Sequence, residues 1–246
     1  MSLDLSQDAM DALNQQLSEA SARDVITHAL QNFGDNVAIS FSGAEDVVLI
    51  DLAAKAGLNF RVFTLDTGRL HPETYDYLER VRKHYGVKIE VCTPNGEALS
   101  EFVSEKGLFS FYEDGHKECC QVRKVAPLRA KLQTLDAWIT GQRKDQSPGT
   151  RTEIPTIQND TFFGSEDNTL VKYNPLAAWS SERVWAYIRA NEVPYNELHE
   201  KGFTSIGCQP CTRPVLPNQH EREGRWWWED ATKKECGLHV INIDDK

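Results

Sequence analysis

The sequence predicts an α/β fold: a mostly parallel sheet flanked by helices, with ligands at the C-terminal ends of the strands. Three observations carry that prediction. Short β-branched runs alternate with longer amphipathic stretches, Gly, Asn or Asp separates one from the next, and two strand-like runs lead straight into Ser-Gly or Asp-Thr-Gly loops. Beyond Pro194 periodic segments become sparse.

Residues 1–24 read as an acidic N-terminal helix, with Asp4, Asp8, Asp11, Glu19 and Asp24 on it and Leu13 and Leu17 sharing one face. Such a helix offers a surface for packing or subunit contact. Strands are expected at Val37–Phe41, Phe60–Leu65, Lys88–Cys92 and Ala137–Thr140, and helices at Glu45–Ala56, Pro72–Tyr85 and Gly96–Glu105. In the second of these helices Tyr75, Leu78, Val81 and Tyr85 line one face, and Pro72 suits a first helical turn. Another helix is expected from Gln121 through Leu132. The stretch Gly141–Arg151 is too polar and too rich in turn formers for a core, so it is a loop. A short strand at Leu170–Tyr173 and a helix at Ser181–Ala190, with Val184, Trp185 and Ile188 inward, complete the pattern. The chain thus divides into an N-terminal helix (1–24), an α/β domain (25–200) and an irregular C-terminal segment (201–246), all in one globular unit.

Charge narrows the function. With 27 Lys and Arg against 37 Asp and Glu, the net charge is −10, which argues against a broad electrostatic grip on nucleic acid or anionic lipid. An anionic ligand must be held locally. Apolar runs such as Val47-Val48-Leu49-Ile50 fall far short of the ~18 residues of a membrane span, and Met1-Ser2-Leu3-Asp4 carries an acid where a signal peptide carries Lys or Arg. A cytoplasmic location is expected, and there the six cysteines are expected as ligands or catalysts, not structural disulfides.

Two loops point to a nucleotide. The first strand enters Ser40-Phe41-Ser42-Gly43-Ala44-Glu45-Asp46 and then an apolar helix, a context that presents backbone N–H groups to an anion, with Ser40 and Ser42 adding hydroxyls. It is not a Walker loop, since Gly-Lys-[Ser/Thr] is absent; the plainer alternative is that Ser42-Gly43 caps the helix. The second strand ends in Leu65-Asp66-Thr67-Gly68. Arg143, Lys144 and Arg151 then place three cations within nine residues of an acidic protein, pointing to an anionic ligand more than to a solvated face.

Four cysteines form two compact pairs, Cys119-Cys120 and Cys208-Gln209-Pro210-Cys211. Adjacent Cα atoms about 3.8 Å apart strain a vicinal disulfide. The set suits one metal centre; a direct Cys-Cys pair fits a zinc knuckle poorly, whereas a cluster offers two irons to neighbouring sulfurs, so a [4Fe-4S] cluster is favoured over zinc and over unliganded thiols. Arg123 and Lys124 follow at once, either between cluster and ligand or on a helix surface. Cys236 sits among Lys233, Lys234 and His239, which stabilise a thiolate. Cys92, ending an apolar strand, reads as a small buried hydrophobe. Arg222 and Arg225 are spaced to fork onto phosphate or sulfate. Of Trp226, Trp227 and Trp228, at least one must pack on the domain or shield a ligand.

Together these motifs resemble the assimilatory adenylyl-sulfate (APS) reductases, relatives of phosphoadenylyl-sulfate (PAPS) reductase, over nearly all the chain past about residue 25. The motifs are Ser40–Asp46, Leu65–Gly68, Cys119-Cys120, Gly141–Arg151, Cys208-x-x-Cys211 and Lys234-Glu235-Cys236-Gly237-Leu238-His239. The resemblance implies an adenine-nucleotide α-hydrolase-like, Rossmann-like fold with a C-terminal redox tail. It implies a [4Fe-4S] cluster on Cys119, Cys120, Cys208 and Cys211, and Cys236 as nucleophile. Ser40, Ser42, Asp46, Leu65, Gly141 and Arg151 would line the nucleotide pocket, with Lys124, Arg143, Arg222, Arg225 and His239 toward the phosphosulfate. Cys236 thiolate would attack the sulfur of APS, expel AMP and leave an S-sulfocysteine, from which thioredoxin frees sulfite. Retention of all four paired cysteines points to APS, with PAPS or dual use as the alternative; an ATP-dependent adenylating or thiolation enzyme and a non-catalytic nucleotide sensor are the rivals. A homo-oligomer is expected.

Overall fold

The strands β1 (Val37–Ser40), β2 (Arg61–Leu65), β3 (Ile89–Cys92), β4 (Ala137–Ile139), β5 (Ile157–Asn159) and β6 (Val171–Tyr173) pair into one sheet of order β3-β2-β1-β4-β6-β5. All neighbours run parallel except β5, which is antiparallel to β6. The structure, a computed structural model, describes residues 5–146, 153–164 and 169–229. Val37, Ala38 and Ile39 of β1 and Ala137, Trp138 and Ile139 of β4 are fully buried, as continuous apolar runs must be in a parallel sheet covered on both faces.

The helices are α1 (Gln7–Ser18), α2 (Ala22–Phe33), α3 (Ala44–Ala56), α4 (Pro72–Tyr85), α5 (Gly96–Lys106), α6 (Lys117–Cys120), α7 (Ala126–Leu132) and α8 (Ser181–Ala190). Val47, Val48, Leu49 and Ile50 of α3 are all inaccessible, because α2 and α8 close over it; each such side chain contributes roughly 1.5–3 kcal/mol by leaving water. Pro72 opens α4, and Tyr77 and Val81 turn into the core. The α/β architecture and its parallel strands are those the sequence predicts.

Three local features differ from expectation. The N-terminal region holds two helices, since Ser21 caps α2 by accepting from Asp24 N, and α2 runs through the residue-24 boundary. The edge strand β5 was not anticipated; Asn14 of α1 accepts from the backbone N–H of Thr156 and Ile157, so the acidic first helix covers the sheet edge. Between α6 and α7 the chain makes a π-helical turn over Gln121–Val125, where Ala126 N donates to Gln121 O. Pro127, which has no N–H and whose ring crowds the carbonyl four residues back, accounts for the widened turn.

The C-terminal ends of β1, β2 and β4 converge on one cavity. The irregular segment from about 201 crosses its mouth, held by a bridge between Leu70 and Cys208 and by Gln209 N donating to Arg69 O. Among the described residues no helix is long and apolar enough to cross a membrane.

Candidate active site

The loop after β1 is closed by its own helix. Asp46 Oδ2 accepts from Ser42 N (2.8 Å), Ser42 Oγ (2.9 Å) and Gly43 N (3.0 Å), while Oδ1 accepts Gly141 N (3.0 Å) from the loop after β4. These backbone donors, expected to face a ligand anion, already hold a carboxylate, so the capping alternative describes the Ser42-Gly43 N–H groups. Burial, then the neighbouring Glu45 charge, pushes Asp46 up to about 6. A Cβ at Gly141 would stand 2.5 Å from Asp46 Oδ1 and from Glu45 Cβ, so only glycine allows the two loops to meet. Ser40, Ser42, Asp46, Leu65 and Gly141 all line the cavity.

Arg143 departs from expectation. Its guanidinium is fully buried and engaged by Glu45 (2.9 Å), Glu221 (3.0 Å) and Asp145, off the cavity lining. One cation facing three carboxylates is turned toward protein, not toward a phosphosulfate. Burial raises Glu221 to about 6.

The other end of the cavity is cationic. Lys124, Arg222 and Arg225 line it. Lys124 Nζ lies 5.7 Å and the Arg225 guanidinium 4.6 Å from the Trp226 ring centre, so the buried indole packs both cations. Arg225 reaches past Gly207, where any side chain would collide with its guanidinium, to Ser205 Oγ and Ile206 O.

Behind this end, Cys119, Cys120, Cys208 and Cys211 are buried around a second, small cavity with Arg69, Phe111, His116, Arg123 and Lys124. Lys124 and Cys208 line both cavities. All four are free thiols. Thr67 Oγ1 lies 3.2 Å from Cys208 Sγ, and the Cys211 thiol hydrogen-bonds Cys208; that bond holds Cys208 well below the usual thiol range and Cys211 above it, whereas burial raises Cys119. Among the described residues no group of three or more His, Cys, Asp or Glu is drawn together as a metal site. The surroundings nonetheless fit a sulfur-rich anion. Arg69 Nη1, Arg123 Nε and Trp226 Nε1 are buried N–H donors without a hydrogen-bond partner, and Trp226 packs in one apolar cluster with the four cysteines; a buried donor left unpaired costs about 1–3 kcal/mol. Four thiols ringed by cations and orphaned donors suit a thiolate-bound cluster better than a lone ion.

The segment after Arg225 is pinned to this cage. Trp226 N donates to Cys211 O, Trp228 Nε1 to Phe111 O, and Glu229 binds both the backbone N (2.9 Å) and Nδ1 (2.6 Å) of His116, whose ring stacks on Trp226 at 4.2 Å. Of the three tryptophans Trp226 is fully buried and Trp227 exposed. Thr67, Arg69, His116 and Glu221 were not foreseen; the first two adjoin or lie in Leu65–Gly68, and His116 stands three residues before Cys119, so proximity to a motif was the only signal. Cys92 is half-buried and free, and burial raises its pKa. Arg151, Cys236 and His239 lie outside the described residues.

Comparison with known proteins bears on the whole arrangement. The phosphoadenosine phosphosulfate reductase domain family matches residues 36–214. A Pseudomonas aeruginosa (strain LESB58) adenosine 5'-phosphosulfate reductase is 57% identical over 237 residues, 96% of this chain and 89% of that one. A probable 5'-adenylylsulfate reductase 1, chloroplastic, from Oryza sativa subsp. japonica is 58% identical over 239 residues, and the chain spans 50% of its length. The crystal structure of phosphoadenylyl-sulfate reductase from Candida auris, a phosphate complex, superposes with a TM-score of 0.71 at 30% identity, covering 87% of this chain and 100% of that one.

Proposed function

The chain belongs to the phosphoadenosine phosphosulfate reductase domain family, and from that premise we propose that it reduces adenosine 5'-phosphosulfate to sulfite and AMP with electrons from a dithiol protein such as thioredoxin. The observation that carries this reading is the shared wall: Lys124 and Cys208 face both the nucleotide-sized cleft and the four-cysteine cage. The adenosine lies toward Ser40, Leu65 and Gly141, and the phosphosulfate toward Lys124, Arg222 and Arg225. That end is where attack by an anion on a sulfonate needs positive charge, and three cations there lower its electrostatic barrier.

The Cys236 thiolate attacks the sulfur; the S–O bond to the phosphate breaks and AMP leaves, with the sulfo group on Cys236. A thiolate of the dithiol protein then attacks Cys236 Sγ, sulfite departs with the bonding pair, and the second thiol of the partner resolves the mixed disulfide. Two electrons pass from dithiol to sulfur. Cys119, Cys120, Cys208 and Cys211 would hold a [4Fe-4S] cluster, which supplies a fixed charged wall behind Lys124 without a change of oxidation state.

The acidic end favours APS over PAPS, since a second phosphate there meets Glu45, Asp46 and Glu221, with Arg143 already engaged. The likeness to the Candida auris enzyme keeps PAPS as the second reading. The test is sulfite release from APS and PAPS side by side with reduced thioredoxin, paired with the mass of protein quenched before reductant is added. Turnover of APS and a sulfo adduct on Cys236 are expected, and Cys236→Ser is expected to keep the cluster absorbance and form no sulfite. Sulfite formed by that variant at ordinary rates removes Cys236 from the mechanism.

A further inference from the structure

Arg69 stands where the loop after β2 meets the cysteine cage. Its guanidinium lies 5.4 Å from the Phe109 ring centre and 5.2 Å from that of Phe111, and its Nη2 donates to Leu108 O. The backbone is fixed too, for Gln209 N donates to Arg69 O and Arg69 N donates to Thr67 Oγ1. The remaining end, Nη1, is buried without a hydrogen-bond partner, and the residue lines the small cavity beside Cys119 and Cys208. A guanidinium N–H is a strong donor and is seldom left unpaired in a protein interior. The other two cations of that cavity have different engagements: Arg123 Nη1 donates to Thr67 O, and Lys124 faces Trp226 and the substrate cleft.

Resting on the reading of the four cysteines as a cluster cage, we propose that Arg69 is the cation that closes the cage on its Phe111 side and retains the bound cluster through Nη1. Four thiolates around an iron–sulfur core carry net negative charge, and burying it requires fixed positive partners. Arg69 supplies one from outside the cysteine-bearing segments. The aromatic face of Phe109 and Phe111 holds the planar fork in place, so lysine at this position keeps the charge and loses the orientation.

The experiment compares wild type, Arg69→Gln and Arg69→Lys purified without oxygen. It measures iron and acid-labile sulfide per chain, the rate at which visible absorbance bleaches in excess iron chelator, and the melting temperature of the metal-free form of each. Bleaching is expected to be roughly tenfold or more faster in Arg69→Gln, as loss of a charge-assisted hydrogen bond implies, with Arg69→Lys between it and wild type and the three metal-free melting temperatures alike. Equal bleaching rates overturn the proposal. So does a metal-free Arg69→Gln protein that melts lower in step with its faster bleaching, because the arginine is then only a brace for the 108–112 loop. Wild-type protein isolated with zinc and no sulfide refutes the cage reading itself and this proposal with it; wild type rich in iron and sulfide, with variants that match it, refutes Arg69 alone.

Discussion

The two ends of the cavity use charge in opposite ways. At the loop end Ser42 N, Gly43 N and Gly141 N are engaged by the Asp46 carboxylate, and the Arg143 guanidinium by Glu45, Asp145 and Glu221. Lys124, Arg222 and Arg225 instead line the cavity, and at the cage end four buried donor atoms, Arg69 Nη1, Arg123 Nε, Arg225 Nε and Trp226 Nε1, lack hydrogen-bond partners. A cation near a cleft is therefore not evidence of a ligand until its partners are counted.

The sharpest way to break this contrast is to remove a cation from each end. Arg143→Ala leaves the largely buried Glu45 and Glu221 without their buried cation, beside the exposed Asp145, and a broken buried pair costs about 3–5 kcal/mol. Its urea midpoint is expected to fall steeply, while the folded fraction keeps an APS KM close to wild type. A stable Arg143→Ala protein with a large rise in KM would move Arg143 back to the phosphosulfate and erase the distinction between the ends.

Arg222→Ala and Arg225→Ala are expected to do the reverse. Each charged contact is worth roughly 1.5–3 kcal/mol, a fall in kcat/KM for APS of about 10- to 150-fold. Arg222→Ala is expected to leave the urea midpoint nearly unmoved; Arg225→Ala lowers it modestly, since that side chain also packs Trp226. Steady-state kinetics with reduced thioredoxin in excess decide the matter. Unchanged kinetics in both variants would reduce the two arginines to packing of the tail segment.

The contrast also explains what was legible in the sequence. Strands β1, β2, β3, β4 and β6 lie within a residue or two of their expected positions: β1 and β4 are short, largely apolar buried runs, and β2, β3 and β6 keep β-branched or aromatic residues between turn formers although they carry Arg61, Glu90 and Lys172. Strand β5 is three residues long with polar Gln158 and Asn159; it pairs antiparallel with β6, and Asn14 from the far end of the chain accepts from Thr156 N and Ile157 N at its start. The second N-terminal helix did leave a signal, Ser21 three residues before Asp24. The clustering of the four cysteines was legible because they come as pairs, and a pair is a local fact. The fate of Arg143 was not, since its partners Glu45 and Glu221 are 98 and 78 residues away in sequence. A ligand loop and a loop engaged by its own carboxylates have the same local composition.

The smallest effect separates the two ends by pH. Burial lifts Glu221 from the ordinary glutamate range to about 6. Between about 4.3, where the unfolded carboxyl titrates, and 6 the folded state therefore binds more protons, so this group's contribution to stability is full below that window and is lost as pH rises through it. Glutamine cannot ionise. The stability of Glu221→Gln relative to wild type is thus expected to climb by about 2 kcal/mol from pH 4 to pH 7 and to level off above that, read from urea midpoints at four pH values. Arg222→Ala gives the control from the cage end: a guanidinium keeps its charge throughout this range, so its difference from wild type is expected to stay flat. A flat profile for Glu221→Gln would mean that Arg143 holds the glutamate ionised across the whole window. In that case Glu221 repels a second phosphate at every pH tested, whereas Asp46, lifted to about 6 by burial, does so only as pH rises past that value.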